Sequence, residues 1–135
     1  MSKDTLTFVT VPGLPRPKGY TNGVIGQGRM LHVAGQIGTT PDGYLADSEG
    51  LVVEFAQALD NVIAVVRAAG GEPTNIASMT IYVTDADAYY QSGNGLGQVW
   101  RERLGKHFPA MAVVGVTRLY EPSAHVEIQA IAYLP

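Results

Sequence analysis

The sequence contains no cysteine. That absence excludes disulfides, thiolate metal sites and a Cys nucleophile. Charge is scarce as well: 16% of the 135 residues are Asp, Glu, Lys or Arg, and the net charge is −3. No run of Lys or Arg occurs, so a generic nucleic-acid binder is not expected. No apolar run approaches the roughly 20 residues that a membrane span needs. The opening Met-Ser-Lys-Asp-Thr lacks the apolar core of a signal peptide, so the expected location is the cytoplasm, with no membrane partner. Three nucleotide and nucleophile signatures are missing too: Gly-x-Gly-x-x-Gly, the phosphate loop and the Gly-x-Ser-x-Gly elbow. The histidines, His32, His107 and His125, show no ligand spacing, and no metal site is expected.

What is present suits one domain over 1–135. Hydrophobic residues make up 46% of the chain, enough for a core. The thin charge, with 16 glycines, suggests that a partner covers some of the surface.

In order, Leu6 to Val11 reads as a short strand. Pro15-Arg-Pro-Lys-Gly-Tyr20 is a stiff surface loop, because its prolines block helix and remove backbone donors. Asn22 to Ile25 and Met30 to Ile37 read as a hairpin that turns at Gly26-Gln-Gly28. Gly35 inside the second strand marks a bulge or the close approach of a ligand or another backbone. Asp47 or Ser48 can cap a helix running to about Ala69. Its stripe is Leu51, Phe55, Leu59, Val62 and Val66, while Glu54, Gln57, Asn61 and Arg67 lie away from it. Gly70-Gly71 ends it. Ile76 to Thr84 is a strand. Asp85 or Asp87 starts a second helix to about Leu104, in which Gly93, Gly95 and Gly97 are out of place: either the helix starts late or something packs tightly there.

Two apolar, β-branched segments finish the chain: Phe108 to Val116, and His125 to Ala132. The second alternates strictly. His125, Glu127 and Gln129 point one way; Val126, Ile128, Ala130 and Ala132 point the other. Pattern alone leaves Glu127 open between solvent, a cleft and an oligomer interface. The order β-β-β-α-β-α-β-β implies an α+β sandwich, with both helices on one face of a mixed sheet. The other face is expected to be buried in an oligomer.

Several segments together resemble the Rid (YjgF/L-PSP, reactive intermediate deaminase) family over nearly the whole length. They are Gly19-Tyr20, Gly23-Val24, Val33-Ala-Gly-Gln-Ile37, Leu59-Asp-Asn-Val62, Ala68-Ala-Gly70, Val83-Thr-Asp85, Asn94, Phe108-Pro-Ala110 and Val126-Glu-Ile-Gln-Ala-Ile-Ala132. The resemblance implies a chorismate-mutase-like fold and a homotrimer with ligand clefts between subunits. It implies a cofactor-free deaminase that hydrolyses enamines and imines to a carbonyl compound and ammonia. Founding members grip the substrate carboxylate with an Arg directly after the Pro-Ala, and hold the attacking water with a Glu in the final strand. Here Glu127 stands at the Glu position and Met111 at the Arg position. Tyr20 and Asn94 match the family's cleft tyrosine and asparagine, and Val113 stands where a cysteine is often found.

The expected catalytic residues are therefore Glu127 and Tyr20. The expected substrate-binding residues are Met111, Asn94, Ala34, Gly35 and Ala112, with backbone amides near Gly35 or Ala112 orienting the substrate. Arg16 or Lys18, just before Tyr20, would supply the positive charge missing at position 111; Arg118 is a weaker candidate. Losing a charged hydrogen bond costs about 1.5–3 kcal/mol. The expected substrate is thus an altered one, such as a larger, partly apolar enamine of the aminomuconate kind. The alternative is a non-catalytic small-molecule-binding or regulatory trimer. A ribonuclease, an activity also associated with the family, is disfavoured by the acidic net charge.

Overall fold

The alternating segment becomes the strand around which the sheet is built. A computed structural model describes residues 4–135. Its elements are β1 (Leu6–Val9), β2 (Gly23–Gly26), β3 (Arg29–Gln36), α1 (Leu51–Ala68), β4 (Ile76–Val83), α2 (Ala86–Gln91), α3 (Gly93–Leu104), β5 (Ala110–Gly115) and β6 (Val126–Leu134). The four-stranded sheet has the order β3-β6-β4-β5. β6 runs antiparallel to both neighbours, while β4 and β5 are parallel, so the sheet is mixed.

Along β6, Val126, Ile128, Ala130, Ala132 and Leu134 are buried, and the residues between them are not. The buried set meets α1, whose Phe55, Leu59, Val62 and Val66 fall on one stripe. Leu96, Val99, Trp100 and Leu104 of α3 complete the core. Each such side chain contributes about 1.5–3 kcal/mol through removal from water. The two main helices cover one face, as expected, and leave the other open. Among the described residues, no helix is long and apolar enough to cross a membrane.

Three local expectations are corrected. First, β2 does not pair with β3. It pairs with β1 in a separate two-stranded sheet, while β3 goes to β6. The break falls at Gly28, whose φ of 123° is open to glycine alone. A Cβ there would strike the Leu134 carbonyl. The Gln27 amide instead donates to Thr5 O at 2.8 Å.

Second, the later helix is broken at Ser92. Asp85 caps α2 by accepting from the Ala88 amide. Gly95, early in α3, lets the helix approach Val52 of α1, with 3.0 Å between its missing Cβ and Val52 Cγ2.

Third, Glu54 is fully buried although it lies off the apolar stripe. Its carboxylate accepts from the His125 amide at 2.7 Å, the Val126 amide at 3.3 Å, and pairs with His125 Nδ1 at 2.8 Å. These donors satisfy a charge that burial alone would disfavour. The helix periodicity cannot show this, because the partners lie 71 and 72 residues away in sequence.

Candidate functional site: a cavity and a carboxylate on opposite faces of one sheet

Glu127 sits on the open face of β6, opposite Tyr82 of β4. It is half-buried. Among the described residues no hydrogen bond or ion pair engages its carboxylate, whereas Gln129 on the same face accepts from Tyr82 Oη at 3.1 Å. The β3–β6 register shifts between Val33 and Gln36. That bulge brings Gly35 beneath Glu127, so that a methyl at position 35 would overlap Oε2. The irregularity read at Gly35 is therefore both a bulge and a close approach, made by a side chain. Ala34 is exposed beside it, and Ala112 is exposed on β5.

Met111 faces the other way. It pairs in register with the buried Met79 and packs against the helix-side core. There it lines the main cavity, which has a volume of about 850 Å³, within the range of small-molecule sites. Tyr20, Tyr89, Phe108, Trp100 and Val113 give this cavity an apolar body. Among the described residues, Lys18 and Arg101 are its charged residues and no Asp or Glu lines it. Trp100 and Phe108 stack with centroids 6.3 Å apart. The Trp100 indole N–H donates to His107 O at 3.1 Å, which fixes the ring. The Thr21 amide donates to Pro109 O at 3.1 Å, and the Thr21 hydroxyl donates to Phe108 O. These bonds tie the Lys18–Tyr20 loop to the start of β5.

Two groups near the cavity titrate away from their ordinary range. Burial pushes the Tyr89 phenol up to about 12. Burial also lowers the His107 imidazole, against a smaller opposing effect of its hydrogen bond to Ile76 O, where Nε2 lies 2.8 Å away.

The structure thus divides the expected site. Tyr20, Lys18 and Met111 line one cavity. Glu127, Gly35, Ala34 and Ala112 belong to the opposite, open face. Arg16 lines a smaller neighbouring cavity, which shares Tyr20 and Phe108 with the first. Asn94 is exposed on α3 and does not line either cavity. Arg118 folds back onto the carbonyls of Leu119 and Tyr120. Sequence reasoning missed Arg101. The available signal was the i, i+4, i+8 row of Gly93, Gly97 and Arg101, which puts two side-chain-free turns beside one cation on a single helix face. Among the described residues no group of three or more His, Asp or Glu could hold a metal.

A mixed sheet backed by two main helices is the α+β fold that this chain shares with solved Rid and YjgF proteins. The sequence profile described as Endoribonuclease L-PSP matches residues 14–134, and the chain belongs to that family. It is 31% identical over 104 residues to human 2-iminobutanoate/2-iminopropanoate deaminase, covering 77% of this chain and 72% of that one. A RutC family protein of Synechocystis is 31% identical over 132 residues, covering 97% and 98%. In structure, a Rid-family protein of Yersinia pestis superposes with a TM-score of 0.83 at 26% identity, over 97% of this chain and all (100%) of that one. The YjgF gene product of E. coli gives 0.67 at 31% identity, over 94% and 98%.

Proposed function

We propose that this chain is an imine or enamine deaminase. It would hydrolyse a C=N bond to a carbonyl compound and ammonia without a cofactor. The observation that carries the reading is the unpaired, half-buried Glu127 carboxylate held above Gly35. Such a group can take a proton from water, and the hydroxide equivalent adds to the imine carbon. The C=N electrons then go to nitrogen, which is protonated. Collapse of the resulting carbinolamine forms the C=O bond and expels ammonia, so water is the only co-reactant. The deaminase name of the human relative supports the same chemistry.

The working form would be a homotrimer, with each cleft completed by a neighbouring copy. Two features support self-association. The carboxylate and the cavity occupy opposite faces of one sheet, so a single chain does not bring them together. Moreover β5 is an edge strand whose Ala112, Val113, Val114 and Gly115 are all exposed, and such an apolar edge is normally covered. The substrate would be larger and more apolar than that of the founding members, because Met111 lines the cavity where they carry a cation.

Freshly generated imines from different amino acids, together with 2-aminomuconate, test the reading by ammonia release. Turnover of any of them, lost in Glu127→Gln, supports it. Binding without turnover supports the second reading, a ligand-binding trimer, which Met111 favours. Light scattering during gel filtration measures the assembly, and a monomer at working concentration counts against the shared cleft.

A further inference from the structure

Four of the six guanidinium groups are held by a carboxylate or a backbone carbonyl. Arg103 is held by Asp60, with Nε to Oδ1 at 2.6 Å. Arg67 lies 3.7 Å from Glu72. Arg118 is bound to its own loop carbonyls. Arg29 reaches the Pro135 carbonyl at 3.5 Å. Arg16 has no partner among the described residues but lines the smaller cavity. Arg101 is the guanidinium that both lines the main cavity and has no hydrogen-bond or ion-pair partner among the described residues.

Its position is built by the helix. Leu96, Val99, Trp100 and Leu104 anchor α3 in the core, which fixes the Arg101 backbone. One turn earlier, Gly97 has no side chain. The point where its Cβ would lie is 3.1 Å from Arg101 Nη1, so the guanidinium rests in space that any larger residue would contest. It lies beside an apolar wall of Trp100, Phe108 and Met111, with no carboxylate in the lining to neutralise it. An unpaired cation over an apolar cavity, with no competing anion, is complementary to an acid that has an apolar body. Arg101 and Lys18 are both exposed, but the planar fork of Arg101 suits a carboxylate better than the point charge of Lys18 does.

We infer that Arg101 binds the anionic group of the ligand, in the cavity where position 111 carries a methionine, and that this ligand is a carboxylate with an apolar body. The inference rests on the main cavity being the ligand site of the reading above, but not on any turnover there.

Trp100 is the single tryptophan of the chain and lines the cavity, so its fluorescence reports binding directly. The probes are phenylacetate and its uncharged counterpart phenylacetamide, titrated into the full chain. The expected result is that phenylacetate binds at least about tenfold tighter than the amide, the factor one charged contact supplies. Arg101→Gln should remove that preference while leaving the amide unchanged, and Arg101→Lys should restore part of it. Lys18→Ala should have the smaller effect. Equal binding of acid and amide by the wild type, an undiminished preference in Arg101→Gln, or no binding of phenylacetate at millimolar concentration would each overturn the assignment. The two readings separate cleanly. Imine turnover with no role for Arg101 in acid binding leaves the deaminase standing and removes this inference. Arg101-dependent acid binding with no imine turned over does the reverse.

Discussion

The Glu127 carboxylate occupies the space directly over Gly35 that a methyl group would need. The two residues are adjacent because β3 bulges against β6 at this point. Gly35→Ala would force the flexible tip of Glu127 aside, with small cost to the fold. Its melting temperature should stay within a few degrees of wild type. Its turnover of a responsive imine should fall about a hundredfold, towards that of Glu127→Gln. Full activity in Gly35→Ala would mean that the carboxylate works from another position.

Glu54 should behave as a structural charge. Glu54→Gln turns one of its oxygens into an amide N–H₂, facing backbone donors at His125 and Val126. Breaking a buried, charge-assisted cluster costs on the order of 3 kcal/mol. Denaturant titration should show that loss as a lower midpoint with an unchanged slope.

Gly97→Ala should have two opposite effects. Removing a glycine from a helix interior stabilises by up to about 1 kcal/mol. The new methyl also contests the place of Arg101 Nη1. Thermal stability should rise while the preference for phenylacetate over its amide falls.

The Arg103–Asp60 pair is partly exposed, at 25% and 48% of the two side chains. Its good geometry still competes with solvent screening. A double-mutant cycle with Ala at both positions should return a coupling of about 0.5–1 kcal/mol, shrinking at high salt. A coupling above about 2 kcal/mol would contradict this ranking.

Stability should fall at both ends of the pH scale. The Tyr89 phenol holds its proton more tightly in the folded chain than in the unfolded one. Its contribution is therefore present below about pH 10 and is lost as pH rises through about 12. The His107 imidazole binds its proton less tightly when folded. Its contribution is present above the ordinary value of 6.5 and is lost as pH falls through the lowered folded value. Tyr89→Phe should flatten the alkaline limb of a stability profile. His107→Gln, which keeps a donor for Ile76 O, should flatten the acid limb.

Periodicity made the main elements readable. The stripe from Leu51 to Val66 and the alternation from Val126 to Ala132 are patterns within a single element, and each became the element it suggested. Asn22 to Ile25 is the strand its pattern suggests, but it pairs with β1 rather than β3, because partner choice is a long-range property. Gly28 and Leu134, far apart in sequence, decide it. Glu54 lies away from the apolar stripe yet is buried for the same reason, since its donors lie at His125 and the first residue of β6. The candidate site was legible as residue types but not as an arrangement. No local signal tells that Met111 and Glu127 face opposite sides of the sheet, or that Arg101 and Met111 share a cavity.

The sheet order also bears on how the chain is made. β6 follows every other described element, yet lies between β3 and β4. During synthesis, β3 and the β4–β5 pair can emerge but have no common neighbour until β6 arrives. Glu54 likewise waits, buried in prospect but unpaired, for amides made 71 residues later. Until β6 is made, the nascent chain therefore carries an unfinished apolar surface. The interval before β6 joins is when the sheet is most exposed to aggregation.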